Sequence, residues 1–302
     1  EISATLTECG ESKFRAKQVI DWVFAKRVQS FEDMTTLSKG LRERLAATFC
    51  LRTMRVATVT GSEDTTRKLL LRLEDGRFVE TVLIPASTSL YGERADRLTL
   101  CVSSQVGCAY DCKFCASGLA GFARNLTAAE IVEQVVQAEA IAADRVDNIV
   151  FMGMGEPLAN FSQLTRAIEI LNADWGIRIG ARRMTVSTSG LAPQIKKLAD
   201  IAPQIRLAIS LHGASDEVRD QIMPVNRKYP LAELFDALTY WKQHRKQRLT
   251  FEYILIEDVN DGLDQARLLV KRARAVDAKV NLIPYNTVDG LEWKRPSEAR
   301  QD

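Results

Sequence analysis

The chain has 302 residues, 46% of them hydrophobic and 26% charged, and no stretch approaches the roughly 20 apolar residues that a bilayer crossing requires. A net charge of +2 excludes the strong basic excess of a protein that grips nucleic acid over its whole surface. The length suits one large domain with a smaller one beside it. No signal peptide is visible, so a cytoplasmic location is expected. Three of the six cysteines fall within eight residues, a spacing that points to a metal rather than to the disulfide framework of a short secreted chain.

Residues 1–55 are predicted to be helical. Phe14, Val19, Trp22, Val23 and Phe24 recur at helical spacing, with Lys13, Arg15, Lys17, Lys26 and Arg27 among them. A second helix is predicted over Leu37 to Phe49. Lys68 to Leu73 and Arg77 to Ile84 flank Glu74-Asp75-Gly76, which reads as a β-hairpin with an Asp-Gly turn. Ala86 to Asp96 reads as a loop, so residues 56–96 form a hairpin and linker.

From Arg97 onward strands and helices alternate. The strand candidates are Arg97–Ser103, Asp147–Met152, Arg183–Ser187, Ile205–Ser210, Leu249–Ile256 and Lys279–Ile283. Thr127-x-x-Glu130 is a capping box that should start a helix running through Ala142. Asn160 is placed to cap the next helix, and Tyr229–Arg245 and Gly262–Val276 supply later ones. Six strands linked by helices imply a parallel sheet over residues 97–302. The predicted fold is therefore α/β, a partial (β/α)6 barrel with its site at the C-terminal strand ends, preceded by a small N-terminal helical domain and the hairpin. Basic runs at Arg178, Arg182 and Arg183, at Lys242, Arg245, Lys246 and Arg248, and at Arg267, Lys271, Arg272 and Arg274 read as solvated helix faces.

Cys108, Cys112 and Cys115 form a C-x3-C-x2-C motif directly after a strand candidate. Three thiolates hold three irons of a [4Fe–4S] cubane and leave the fourth open to a substrate. S-adenosylmethionine (SAM) can chelate that iron through its amino and carboxylate groups. Structural zinc would want four Cys or His ligands, and the two histidines, His212 and His244, are distant in sequence.

With this loop after the first barrel strand, the sequence resembles the radical SAM family. Cys101-Val-Ser-Ser-Gln-Val-Gly-Cys108, Phe151-Met-Gly-Met-Gly-Glu-Pro157, Ser187-Thr-Ser-Gly190, Ser210-Leu-His212 and Leu282-Ile-Pro-Tyr-Asn286 are similar to motifs of its RlmN/Cfr group of RNA methyltransferases. Phe14-Arg-Ala-Lys-Gln18 and Glu80-Thr-Val-Leu-Ile-Pro85 resemble the RlmN side of that group. The resemblance implies methylation of C2 of an adenosine in 23S rRNA, and in some members of tRNA, through a methyl-cysteine and a 5′-deoxyadenosyl radical. It implies Glu80 as general base, Cys101 as the resolving cysteine that forms a disulfide, and Gly155, Glu156, Ser187, Ser210, Leu211, His212 and Asn286 as SAM contacts. It also implies an external electron donor such as flavodoxin, no membrane partner, and a monomer. The alternatives are a Cfr-like C8 methyltransferase, or an inactive SAM- and RNA-binding paralogue. No cysteine follows Cys115, and the family's methyl-carrying cysteine lies well beyond the Asn286 position. With a start at Glu1 rather than Met, this favours a fragment lacking terminal segments.

Overall fold

The computed structural model describes residues 5–7, 10–61, 66–86, 97–119, 121–201 and 204–302, without the side chain of Lys13. Cys9 and most of the predicted 86–96 loop lie outside the described residues.

In chain order, helix α1 (Lys13–Ile20) runs into a single π-helical turn at Asp21–Ala25, and α2 (Lys39–Thr48) follows. The predicted start of α2 moves from Leu37 to Lys39 because the Ser38 side chain accepts a hydrogen bond from the Leu41 N–H, which fixes the N-cap. Strands β1 (Arg55–Thr60), β2 (Arg67–Arg72) and β3 (Phe78–Pro85) form an antiparallel meander. The Asp-Gly turn joins β2 to β3 as predicted, with Gly76 at φ +81°, a conformation in which a Cβ would strain the backbone. β4 (Leu98–Cys101) leads to β5 (Gln105–Gly107), the short helix α3 (Ala116–Leu119) and β6 (Phe122–Asn125). The chain continues through α4 (Ala128–Ala142), β7 (Asn148–Phe151), α5 (Phe161–Asn172), β8 (Met184–Thr188), α6 (Ala192–Ile201) and β9 (Arg206–Ser210). It ends with α7 (Asp216–Ile222), α8 (Leu231–His244), β10 (Thr250–Leu255), α9 (Leu263–Ala275), β11 (Lys279–Pro284) and α10 (Glu298–Gln301).

The chain divides into two compact units. The first draws on residues 1–100, 127–148 and 166–180. Its helical part packs Leu6, Val19, Phe31, Met34, Leu41 and Leu45 into one apolar cluster. The capping box starts α4 as predicted, with both reciprocal bonds between Thr127 and Glu130 present. Buried polar groups tie α4 to its own unit. Glu133 accepts from the Thr53 and Met54 N–H groups and from the Thr53 hydroxyl. Glu139 accepts from Arg27 at 2.6 Å and from the Val146 N–H at 3.1 Å.

The second unit draws on residues 101–126, 149–165 and 181–302. Strands β7, β8, β9, β10 and β11 pair in parallel in that order. The Val102 N–H bonds the Val150 carbonyl at 3.0 Å, so the end of β4 runs alongside β7. This is the sheet of a partial (β/α)6 barrel, as predicted. β10 shows the required alternation, with Phe251, Tyr253 and Leu255 buried on one face and Thr250, Glu252 and Ile254 on the other.

Two expectations needed revision. Asn160 does not cap with its side chain: its Nδ2 donates to the Ser104 and Leu126 carbonyls, leaving α5 to follow a 3₁₀ turn at Pro157–Asn160. The antiparallel ribbon β5–β6 leaves no mark in the sequence, because three or four residues are too few to show alternation. No helix among the described residues is long and apolar enough to cross a membrane.

Replacing Glu133 with Ala leaves the Thr53 and Met54 N–H groups without their acceptor, so a loss of about 2–3 kcal/mol is expected in urea denaturation. Glu133→Gln should lose less. An unchanged midpoint in the Ala variant would show that water replaces the carboxylate.

Candidate active site

The cysteine loop is shaped by backbone that only certain residues tolerate. Gly107 sits at φ +73°, and a Cβ there would lie 1.8 Å from the Gly121 carbonyl oxygen, which accepts from the Cys108 N–H at 3.0 Å. Asp111, at φ 49°, makes the left-handed step between Cys108 and Cys112. The loop is pinned from outside at Lys113, whose N–H donates to the Ile222 carbonyl at the end of α7 and whose carbonyl accepts from the Trp293 indole at 2.7 Å.

Cys108, Cys112 and Cys115 line one pocket at the C-terminal ends of the parallel strands. Burial pushes the Cys108 and Cys112 thiols up, and neighbouring acidic groups and thiols add to the effect. A bound cation would reverse this, since metal binding requires and stabilises thiolates. Among the described residues no three His, Cys, Asp or Glu side chains are grouped around a single metal ion. Thiolates on three different irons of a cubane stand farther apart than ligands on one ion, so a cluster does not require the three thiols to converge on one point.

The turn after strand β7 delivers Gly153, Gly155 and Glu156 to the same pocket. A Cβ on Gly153 would fall 2.7 Å from the Ser103 hydroxyl, and one on Gly155, at φ +97°, 2.5 Å from the Gln105 Cβ. Glycine there lets the turn lie against residues 102–105. Glu156 is buried, and burial raises its carboxyl above the usual range. Its Oε1 accepts from the Leu158 N–H, while its Oε2 accepts from the Ser189 N–H and hydroxyl at 2.7 and 2.8 Å. Glu156 thus joins the ends of β7 and β8 as well as facing the pocket.

Ser187 and Ser210 stand on adjacent strands with their hydroxyls 3.4 Å apart. His212 follows at φ 53°. Its Nδ1 accepts from the Ile254 N–H at 3.0 Å, which makes Nε2 the protonated nitrogen of a neutral ring. Burial, with the Arg219 charge beside it, brings its pKa down to about 3.

The pocket therefore gathers the three cysteines with Gly155, Glu156, Ser187, Ser210 and His212. The other predicted site residues are placed elsewhere. Leu211 is buried with its side chain outside the pocket lining, and Asn286 is exposed beyond β11. Cys101 closes β4 half-buried, its thiol raised to about 11 by burial, and it does not line the pocket. Glu80 lies on β3 of the other unit, paired with Lys68 at 2.9 Å. The five described cysteines form no disulfide among themselves.

The structure adds Arg219 to these residues. It is fully buried and donates to the Asn226 side chain and to the carbonyls of Ser189, Ser210 and Leu211. Desolvation lowers its pKa to about 10. One arginine in a polar helix among 41 basic residues gives no sequence signal of such a role.

Residues 102–269 match the radical SAM superfamily, and residues 1–51 match the ribosomal RNA large subunit methyltransferase N-terminal domain. A probable dual-specificity RNA methyltransferase RlmN from Akkermansia muciniphila is 57% identical over 300 residues, covering 99% of this chain and 84% of that protein. The dual-specificity RNA methyltransferase RlmN of Campylobacter fetus is 44% identical, covering 96% and 84%. The crystal structure of a radical SAM methyltransferase from Sphaerobacter thermophilus superposes with a TM-score of 0.93 at 40% identity, covering 99% of this chain and 87% of that one.

The chain belongs to the RlmN family of radical SAM enzymes. Such an enzyme uses a [4Fe–4S] cluster and SAM. The residues present fit both: three soft sulfur donors come from one loop, and a small-residue turn allows close approach of a ligand.

Anaerobic reconstitution should load about four irons per chain. Cys108→Ala, Cys112→Ala or Cys115→Ala should abolish the cluster absorbance, while Cys50→Ala leaves it. Gly107→Ala should also impair loading, because its Cβ collides with the Gly121 carbonyl. A full cluster in Cys112→Ala would overturn the ligand assignment.

A second expectation concerns acid stability. The folded chain keeps His212 neutral to about pH 3, whereas the unfolded chain takes up the proton below about 6.5. The folded state binds fewer protons in that window, so the His212 contribution is whole above 6.5 and is lost as pH falls towards 3. His212→Gln should flatten the acid limb of metal-free protein by about 1.4 kcal/mol per pH unit in urea titrations. Identical slopes for both proteins would place a charged histidine in the fold.

Proposed function

We propose that this protein methylates C2 of an adenosine in 23S rRNA, with tRNA as a second substrate. The observation that carries the reading is the presence, in one chain, of an N-terminal region matching the large-subunit rRNA methyltransferase domain and a radical SAM core with a thiol-lined pocket. Relatives at 57% and 44% identity bear the name dual-specificity RNA methyltransferase, which supports RNA as the substrate class. The chemistry agrees. An adenine C2–H carbon is not nucleophilic, so methyl transfer by simple displacement at SAM fails and a radical route is needed. The cluster supplies the electron for reductive cleavage of SAM.

The protein's own residues have distinct tasks in this reading. Glu156 and the Gly153–Gly155 turn shape the floor of the SAM site. Ser187, Ser210 and neutral His212 offer hydroxyl and N–H groups to the ligand, and Asn286 contributes from the loop after β11. Cys101 supplies the thiol that resolves the methyl-cysteine adduct, and Glu80 takes a proton from the substrate. The high thiol pKa of Cys101 means that it attacks as thiolate only after losing its proton to a base. Residues 1–55 act as an RNA-holding accessory region, with exposed Lys17 and Lys26 available to phosphate. Arg27 is withdrawn from that set by its buried pair with Glu139.

The test uses protein from the intact reading frame, an rRNA fragment, SAM and a flavodoxin-type reductant, with mass spectrometry of the nucleosides. The expected product is 2-methyladenosine. 8-Methyladenosine would establish the Cfr-like alternative, and no methylated adenosine would establish an inactive binder. Cys101→Ala should leave RNA covalently attached on a denaturing gel; free RNA together with normal product yield would remove Cys101 from the mechanism.

A further inference from the structure

A polar row crosses four adjacent strands at the pocket. Ser187 on β8 meets Ser210 on β9, Ser210 is the register partner of Glu252 on β10, and Glu252 is the register partner of Asn281 on β11. The last two are bonded, with Asn281 Nδ2 donating to Glu252 Oε2 at 2.7 Å. Glu252 lines the pocket, and its Oε1 carries no hydrogen bond among the described residues.

The charge balance around it is one-sided. The pocket lining contains two carboxylates, Glu156 and Glu252, and no lysine or arginine. His212 is held neutral by the bond to its Nδ1. The buried cation Arg219 is outside the lining, with its N–H groups committed to three carbonyls and Asn226. Both oxygens of Glu156 already accept from Leu158 and Ser189. Glu252 is therefore the lining carboxylate with an uncommitted oxygen. Partial burial raises its carboxyl, which a nearby positive charge would counteract.

We propose that Glu252, braced by Asn281, is a specificity-determining residue that favours a ligand with a positively charged sulfur. It thereby selects SAM over S-adenosylhomocysteine, the neutral thioether of nearly the same shape. The proposal rests on the reading of this pocket as the SAM site. Coulomb attraction acts on the sulfonium and is missing for the thioether, while shape contacts are shared by both.

The experiment is anaerobic equilibrium dialysis of both ligands against the cluster-loaded protein in its oxidised state, where SAM is not reductively cleaved. The native protein should prefer SAM. Glu252→Gln keeps the size and an acceptor for Asn281, and should weaken SAM binding by about tenfold while changing S-adenosylhomocysteine binding by less than about twofold. Glu252→Asp, which retains the charge, should restore part of the preference. Asn281→Lys changes an exposed residue and sets an ammonium beside Glu252; it should lose the preference as well, so the test survives if Glu252→Gln fails to fold. Equal weakening of both ligands in Glu252→Gln would reduce Glu252 to a strand-bracing role and overturn the proposal, as would full preference retained in Glu252→Gln or Asn281→Lys. A native protein that binds SAM and S-adenosylhomocysteine equally would overturn this proposal alone. One that binds neither would overturn the reading of the pocket itself.

Discussion

A parallel sheet leaves backbone groups unpaired at the C-terminal ends of its strands, at the edge where functional side chains must stand, and burial makes each unpaired group expensive. Here four buried side chains take up those groups. The Arg219 guanidinium gathers the carbonyls of Ser189, Ser210 and Leu211. Glu156 gathers the N–H groups of Leu158 and Ser189. Asn160 satisfies the Ser104 and Leu126 carbonyls, and Asn260 bridges the His212 and Ile254 carbonyls while accepting from the Ile256 N–H. The rim of the pocket is rigid because its backbone is bonded by side chains that cannot move without leaving a buried partner unsatisfied, a loss of about 1–3 kcal/mol each.

The same arrangement sets the electrostatics. Arg219 is held by carbonyl oxygens and by Asn226, and the nearby Asp216 and Asp220 carboxylates offset part of the desolvation, so burial depresses its pKa without discharging it. Its charge favours a thiolate at Cys112 and disfavours a charged His212. One buried cation thus acts in opposite senses on two neighbours, towards ionisation of the thiol and towards neutrality of the imidazole. The neutral ring in turn keeps the lining free of positive charge, which matters for any cationic ligand. Phe114, from the cysteine loop, packs edge-on against His212 with ring centroids 4.8 Å apart, so the loop and the strand end also meet through an apolar contact.

Much of this architecture is legible in the sequence because the signals are local. A capping box is two residues three apart, an Asp-Gly turn is two neighbours, and a C-x3-C-x2-C loop is eight consecutive residues; each fixes geometry within a single turn of chain. The strand candidates were legible for a related reason, since a buried parallel strand must be a short apolar run whatever lies beside it. The family motifs added Glu156, Ser187, Ser210 and His212, which the fold brings into one pocket with the cysteines.

The tertiary structure alone decided what depends on partners distant in sequence. Arg219 reads as one more surface cation until the ends of β8 and β9 present carbonyls to it, 30 and 9 residues away. Glu252 reads as the polar side of a strand until Asn281 arrives from β11, and Asn160 reads as a cap until Ser104 and Leu126 claim its amide. Periodicity tells which residues share a face, but not whether that face meets solvent, a carbonyl or a ligand. For polar side chains that choice rests on desolvation weighed against the hydrogen bonds gained, and the bonds exist only once the strands have been laid side by side.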